Sequence, residues 1–223
     1  PLVFRTDELV QAADGELICG VADREFGDFS IDSRQIKRGA LFFAIKGDRF
    51  DGHDFVADAV RKGAAGVIVS DRSAVAAKVL DKQDVTVVIV KDTTRSLQTI
   101  ARHVRRRSRT RVVAITGSIG KTTTKELSAA FIGIQKRVYR NIDNLNNHIG
   151  LPLSLLKLRH QPEVAVVELG MNHAGEIRRL VDIAEPNVRV WTNVAEVHAA
   201  NFASIENIAD AKAELLESSR SDD

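Results

Sequence analysis

The sequence predicts an α/β protein in two parts: a small amino-terminal α/β domain over residues 1–82, then a doubly wound parallel-sheet domain over residues 83–223. Three observations lead there. Short β-branched apolar runs alternate with segments whose apolar residues recur at helical spacing. A glycine-rich turn joins one such run to one such segment. Apolar residues make up 44% of the 223, enough to fill two cores of ordinary size.

In the first part, Thr6 can cap a helix carrying Leu9, Val10 and Ala13, with Gly15 to end it. Residues 40–45 read as a strand after the Gly39 turn. Asp54 is placed to cap a helix through Lys62, with Gly63 as its stop. Val67, Ile68 and Val69 form a short buried strand. In the second part, residues 85–90 and 111–116 are the β-branched runs expected in a buried parallel sheet. Between them Leu97, Ile100, Ala101 and Val104 fall at i, i+3, i+4 and i+7, one stripe of a helix. Leu127, Ala130, Phe131 and Ile134 repeat that stripe after the glycine turn. Residues 164–169 make another strand. Ile177, Leu180, Val181 and Ala184 mark another helix, and residues 188–194 a further strand. Such alternation implies a parallel sheet with helical crossovers.

Composition narrows the function. Thirty-two basic and 30 acidic residues leave a formal charge of +2, which predicts neither a nucleic-acid binder nor a membrane-surface protein. The run Arg102-His103-Val104-Arg105-Arg106-Arg107-Ser108-Arg109 could be an RNA or phosphate patch, but Arg102, Arg105 and Arg106 lie opposite the apolar stripe, as on a solvated helix face. The single cysteine, Cys19, excludes an intrachain disulfide framework and reads as a small core residue. No apolar run approaches the ~20 residues of a membrane span, and residues 1–7 lack the apolar segment of a signal peptide. The expectation is a soluble, cytoplasmic monomer.

The chemistry centres on the turn. A strand ending at Thr116, then Gly117, Ser118, Ile119 and Gly120, then Lys121, Thr122 and Thr123 opening a helix, is a phosphate-binding arrangement. Glycines let the backbone approach, and the helix start attracts negative charge. Lys121 can reach β- and γ-phosphates, and the Thr122 hydroxyl can ligate Mg²⁺. The usual first glycine of such loops is replaced by Ile115. Glu168 ends a buried strand, where a carboxylate needs a cation, and Mg²⁺ is the obvious one; a capping or salt-bridged acid is the plainer reading. His198 follows the strand through Val194 and taken alone is an ordinary histidine. Lys212 falls in the middle of the apolar face of a helix over residues 204–217, while Glu206, Asp210, Glu214 and Glu217 lie on the other. There it either snorkels outward or loses its proton by desolvation; a neutral amine can take up carbon dioxide as a carbamate.

On these residues the chain resembles the Mur ligases of cell-wall synthesis. Thr116 to Thr123 match that family's T-G-[ST]-x-G-K-T-[ST] throughout, the missing first glycine included. Asn144-Leu145-Asn146-Asn147-His148-Ile149-Gly150-Leu151-Pro152 and Glu168-Leu169-Gly170-Met171-Asn172-His173-Ala174-Gly175-Glu176-Ile177 are similar to one branch, which joins D-alanyl-D-alanine to a UDP-N-acetylmuramoyl tripeptide. The sister branch adding the third peptide residue has Thr-Thr-Pro where this chain has Asn-Asn-His. Asp32-Ser33-Arg34 and residues 46–53 resemble the family's UDP-sugar-binding domain. Thr192-Asn193-Val194 through His198, and Ala211-Lys212-Ala213-Glu214, also match.

The resemblance implies ATP-dependent amide ligation through an acyl phosphate, with ATP and Mg²⁺ as cofactors. Residues 116–123 would hold the nucleotide and Lys121 the transferring phosphoryl group. Thr122 and Glu168 would hold one Mg²⁺, while His198 and a carbamylated Lys212 would serve a second. Ser33, Arg34, Lys46, Gly47 and Arg49 would bind the UDP substrate, and Asn146 and Asn147 would line the cleft. Family ligases run to roughly twice this length, at ~450 residues for three domains. The implied central P-loop domain is therefore incomplete, and the chain alone is expected to be an inactive fragment. A non-catalytic nucleotide-binding module and the sister ligase are the alternatives.

Overall fold

The computed structural model describes residues 1–76, 84–142, 144–195 and 202–217. The chain divides into two compact units, Pro1–His103 and Val104–Asp223.

In the first unit β1 (Phe4–Arg5) pairs antiparallel with β3 (Glu25–Phe26). A second sheet has the order β2 (Glu16–Cys19), β7 (Thr86–Ile89), β6 (Gly66–Val69), β5 (Leu41–Phe43), β4 (Phe29–Ser30). Strands β4 to β7 run parallel and β2 antiparallel to β7. Every residue of β5 and β6 is buried, as expected for a parallel sheet covered on both faces. Cys19 is buried with Phe42, Val67, Val69 and Val87, a core residue as its sequence context suggested.

The strand at 86–89 corrects the expected boundary at 82/83. Backbone hydrogen bonds insert β7 between β6 and β2 of the first sheet, so the first unit runs on to His103. A buried apolar run carries no label of the sheet it will join. Local caps also differ. Helix α1 (Thr6–Ala13) starts one residue after Arg5 rather than being capped by Thr6, and it ends on Asp14, whose φ of 51° makes the left-handed cap instead of Gly15. Asp51, not Asp54, caps the 3₁₀ turn Gly52–Phe55 that leads into α2 (Val56–Arg61).

Helix α3 (Thr93–Arg107) buries Leu97, Ile100, Ala101 and Val104 completely, the predicted stripe. Arg105 departs from the expected solvated face. It is buried, and its guanidinium donates to the carbonyls of Thr110, Ala184 and Glu185 and to Asn187 Oδ1 at 2.8–3.1 Å. Arg106 pairs with Glu185 at 2.7 Å.

The second unit is built on a parallel sheet ordered β11 (Val188–Trp191), β8 (Arg111–Thr116), β10 (Val164–Glu168), β9 (Val138–Arg140). Helix α4 (Lys121–Gly133) packs on it, and α5 (Gly150–Leu155) and α6 (Glu176–Ala184) follow. The α6 stripe Ile177, Leu180, Val181 and Ala184 is buried as predicted. The α4 stripe is not: Leu127, Phe131 and Ile134 are 54%, 70% and 76% exposed. The face turned to the sheet carries Lys125, Ala129 and Ile132. Thr122, bonded to Glu168 on β10, shares that face; the small Ala129 permits close approach.

Candidate active site

β8 and β10 are parallel neighbours with Glu168 opposite Ile115, so Glu168 and Thr116 finish at one sheet edge, where ligands bind in such sheets. The chain leaves β8 through Thr116, whose hydroxyl donates to Leu169 O at 3.0 Å. At Gly117, φ is 149°, and a Cβ there would stand 1.9 Å from Thr192 Oγ1, so only glycine fits. Gly120, at φ 83°, is the N-cap of α4.

The loop is braced by the segment after β11. Ser118 N donates to Asn193 O at 3.1 Å, Ile119 N to Asn193 Oδ1 at 3.0 Å, and Thr192 Oγ1 to Ile119 O at 2.8 Å. Ser118 Oγ and the Ala195 backbone complete the brace. The amides of Ser118 and Ile119 are thus engaged with Asn193, which leaves the first turn of α4, from Lys121 to Thr123, to face an anion. The sequence places Asn193 inside a strand over residues 188–194, but β11 ends at Trp191, which frees Asn193 for this role.

Lys121 Nζ lies over the loop, donating to the carbonyls of Gly117 and Ser118 at 2.8 and 3.3 Å. Thr122 Oγ1 donates to Glu168 Oε2 at 2.7 Å, and Asn146 Nδ2 to Glu168 Oε1 at 2.9 Å. Glu168 is only 4% exposed. Asn147 lines the same cavity but spends its Oδ1 on the amides of Ile149 and Gly150 at the start of α5. The cavity, about 740 Å³, gathers Lys121, Asn146, Glu168, His173, Arg179 and Lys212 among its walls.

Lys212 sits on α7 (Ile205–Ala213) and is 2% exposed, which excludes snorkelling. Desolvation, with the charge of Lys121 adding to it, lowers its pKa to about 8. Glu214, expected on the outer face, is instead buried, because its carboxylate accepts from the amides of Gly175 and Arg178 at the start of α6. His198 lies outside the described residues.

An oxygen pair of hydroxyl and carboxylate suits Mg²⁺, which takes few protein ligands and completes its shell with water and phosphate oxygens. Among the described residues no group of three or more His, Cys, Asp or Glu gathers as an all-protein metal site would require.

In the first unit the candidate substrate residues stand at the carboxyl ends of two parallel neighbours, β4 and β5. Ser33 is buried; Lys62 and, after it, the Ser33 side chain lower the pKa of Asp58. Arg34 is exposed and forked onto Asp32 at 2.8 and 2.9 Å. Lys46, Gly47 and Arg49 are exposed on a loop closed by Gly47 N to Phe50 O at 2.9 Å. His53 anchors that loop: Nδ1 meets Asp51 Oδ1 at 2.6 Å, and Nε2 accepts from Ser70 N at 2.9 Å.

A braced phosphate loop on a parallel sheet, with a carboxylate at the end of the neighbouring strand, defines a nucleotide-binding class of protein, and comparison with known proteins narrows it. Residues 28–105 match the model "Mur ligase family, catalytic domain" and residues 115–223 the "Mur ligase middle domain"; the chain belongs to the Mur ligase family. Its relatives include the UDP-N-acetylmuramoyl-tripeptide–D-alanyl-D-alanine ligases of Bacillus subtilis (strain 168) and Escherichia coli (strain K12). The first is 41% identical over 86% of this chain and 41% of its own length, the second 39% identical over 94% and 44%. Among solved structures, MurF from Acinetobacter baumannii superposes with a TM-score of 0.87 at 33% identity, covering 96% of this chain and 46% of that one. MurF from Thermotoga maritima, in complex with ADP, gives 0.77 at 33% identity over 86% and 43%. The chain spans less than half the length of these relatives. No helix among the described residues is long and apolar enough to cross a membrane.

Proposed function

We propose that this chain supplies the UDP-substrate and nucleotide-binding parts of an ATP-dependent ligase that joins D-alanyl-D-alanine to a UDP-N-acetylmuramoyl tripeptide. The observation that carries the reading is the Thr122–Glu168–Asn146 constellation beside Lys121, in a cavity that also holds the nearly enclosed Lys212. The named relatives support this branch over the sister that adds the third peptide residue.

Bound Mg²⁺ would neutralise phosphate charge as the γ-phosphate of ATP passes to the tripeptide carboxylate, making the acyl phosphate that the dipeptide amine attacks. Lys121 places a cation at the phosphates, and the first turn of α4 offers its amides to them. Thr122 and Glu168 hold the ion, with His198 and a carbamate on Lys212 as the family's further groups. Asn146 fixes one Glu168 oxygen. The exposed Arg34, Lys46 and Arg49, with Gly47, offer the UDP group cationic and backbone donors. Ser33, buried at the start of the turn that Asp32 caps, shapes their setting. The burial of Arg105 and the pairing of Arg106 remove the heart of an RNA patch.

The test is binding by the 223-residue chain. Lys121→Ala should weaken ATP·Mg²⁺ binding by at least about tenfold and leave UDP-muramyl-tripeptide affinity within about twofold in calorimetry. Unchanged nucleotide affinity would refute the assignment.

A further inference from the structure

We infer that Asn141 is a positioning residue for Glu168, setting the metal affinity of the nucleotide site without touching the ion; this rests on the reading of Glu168 as the Mg²⁺ carboxylate. Pairing between β9 and β10 runs from Val138 opposite Val164 to Arg140 opposite Val166 and stops there. Glu168 lies two residues further on, at the sheet edge, where backbone pairing on that side has ended. Asn141, fully buried and one residue past β9, takes over with its side chain. Its Oδ1 accepts from Glu168 N at 3.0 Å, and its Nδ2 donates to Glu168 O at 3.2 Å. The amide therefore imitates one more rung of the ladder.

The same Nδ2 donates to Leu145 O at 2.9 Å. Leu145 precedes Asn146, whose own amide holds Glu168 Oε1. One side chain thus fixes both the carboxylate's backbone and the loop that delivers its partner. An amide carries two N–H donors and one oxygen, and all three groups are used here. Asn141's own carbonyl accepts from Lys125 Nζ at 2.9 Å, and Lys125, 2% exposed, stands on the sheet face of α4 with Thr122. Thr122, Glu168 and Asn146 are held in register through Asn141, while the Glu168 oxygens stay committed to the site rather than to the backbone. A plain loop anchor would be satisfied with fewer of these bonds and would not reach both groups that grip Glu168.

The experiment measures affinity for a fluorescent ADP analogue in EDTA and in Mg²⁺, and takes the ratio. Wild type should bind more tightly with Mg²⁺. Asn141→Ala should lower that ratio by about tenfold or more, as loss of a ligand's orienting partner does, with affinity in EDTA within about twofold. Lys125→Met, which keeps the amide and frees only its main chain, should lower the ratio less, and it decides the matter should Asn141→Ala fail to fold. An unchanged ratio, or equal losses in EDTA and Mg²⁺, would overturn the inference. Glu168→Gln separates the two levels. If it abolishes the ratio while Asn141→Ala and Lys125→Met do not, the positioning role alone is wrong. If it leaves the ratio intact, the metal reading of Glu168 falls, and this inference with it.

Discussion

Lys212 shows what enclosure does to one amine. Its folded pKa of about 8 lies below the ordinary 10.5, so between those values the unfolded chain holds a proton that the folded chain has released. Unfolding then takes up a proton, and stability rises with pH across that window. The gain approaches about 3 kcal/mol by pH 10.5; below pH 8 the enclosed charge is a cost. Urea melts of Lys212→Met should therefore be more stable than wild type at pH 7 and lose the rising limb between pH 8 and 10.5. An identical limb in the variant would place the titration elsewhere. The same low pKa keeps much of the amine neutral near pH 8, the form that captures carbon dioxide. Labelled ¹³C-bicarbonate should give a carbamate resonance in wild-type protein, absent in Lys212→Met and lost on acidification. A resonance that survives in the variant would assign the carbamate to another amine.

Helices α3 and α4 carry the two reversals of face. On α3, Arg105 feeds three carbonyls and Asn187, so Arg105→Ala leaves buried acceptors without donors and should cost about 2–4 kcal/mol. Arg106→Ala removes only a surface pair and should cost less than about 1 kcal/mol. Equal effects in chemical denaturation would contradict the buried role. On α4 the apolar residues Leu127 and Phe131 face outward while Ala129 meets Ile115, Val164 and Val166. Phe131→Gln should then change stability by less than about 0.5 kcal/mol, whereas Ala129→Leu should overpack the contact and cost about 1–3 kcal/mol. The opposite order would mean the helix is rotated towards its apolar stripe.

The two units, each taken alone, turn on where β7 belongs. As the strand between β6 and β2, it supplies Val87 and Val88 to the first core and completes the sheet. A piece covering residues 1–103 should melt cooperatively, and one covering residues 1–82 should not, because β2 would lose its only ladder partner among the described residues. A cooperative transition in the shorter piece, followed by circular dichroism, would put the boundary back where the hydrophobic pattern had suggested.

Much of the site could be read from the chain alone, because its chemistry is local. Thr116 to Thr123 are contiguous, and the strand before them and helix after them follow from periodicity, so the phosphate loop, its lysine and its hydroxyl needed no partner to be legible. Glu168 was visible as an acid ending an apolar run, and Lys212 as a cation among apolar neighbours at helical spacing. Packing settled the rest, because it joins residues far apart in sequence. Asn193 braces a loop more than seventy residues earlier, and Asn141 holds a glutamate twenty-seven residues on. Arg105 is buried because carbonyls near residue 185 come to meet it. Periodicity reports that a helix has an apolar side, but only the packed fold shows that the side of α4 carrying Lys125, Ala129 and Ile132 meets the sheet. A β-branched run reports a buried strand, but only hydrogen bonds to its neighbours placed β7 in the first sheet.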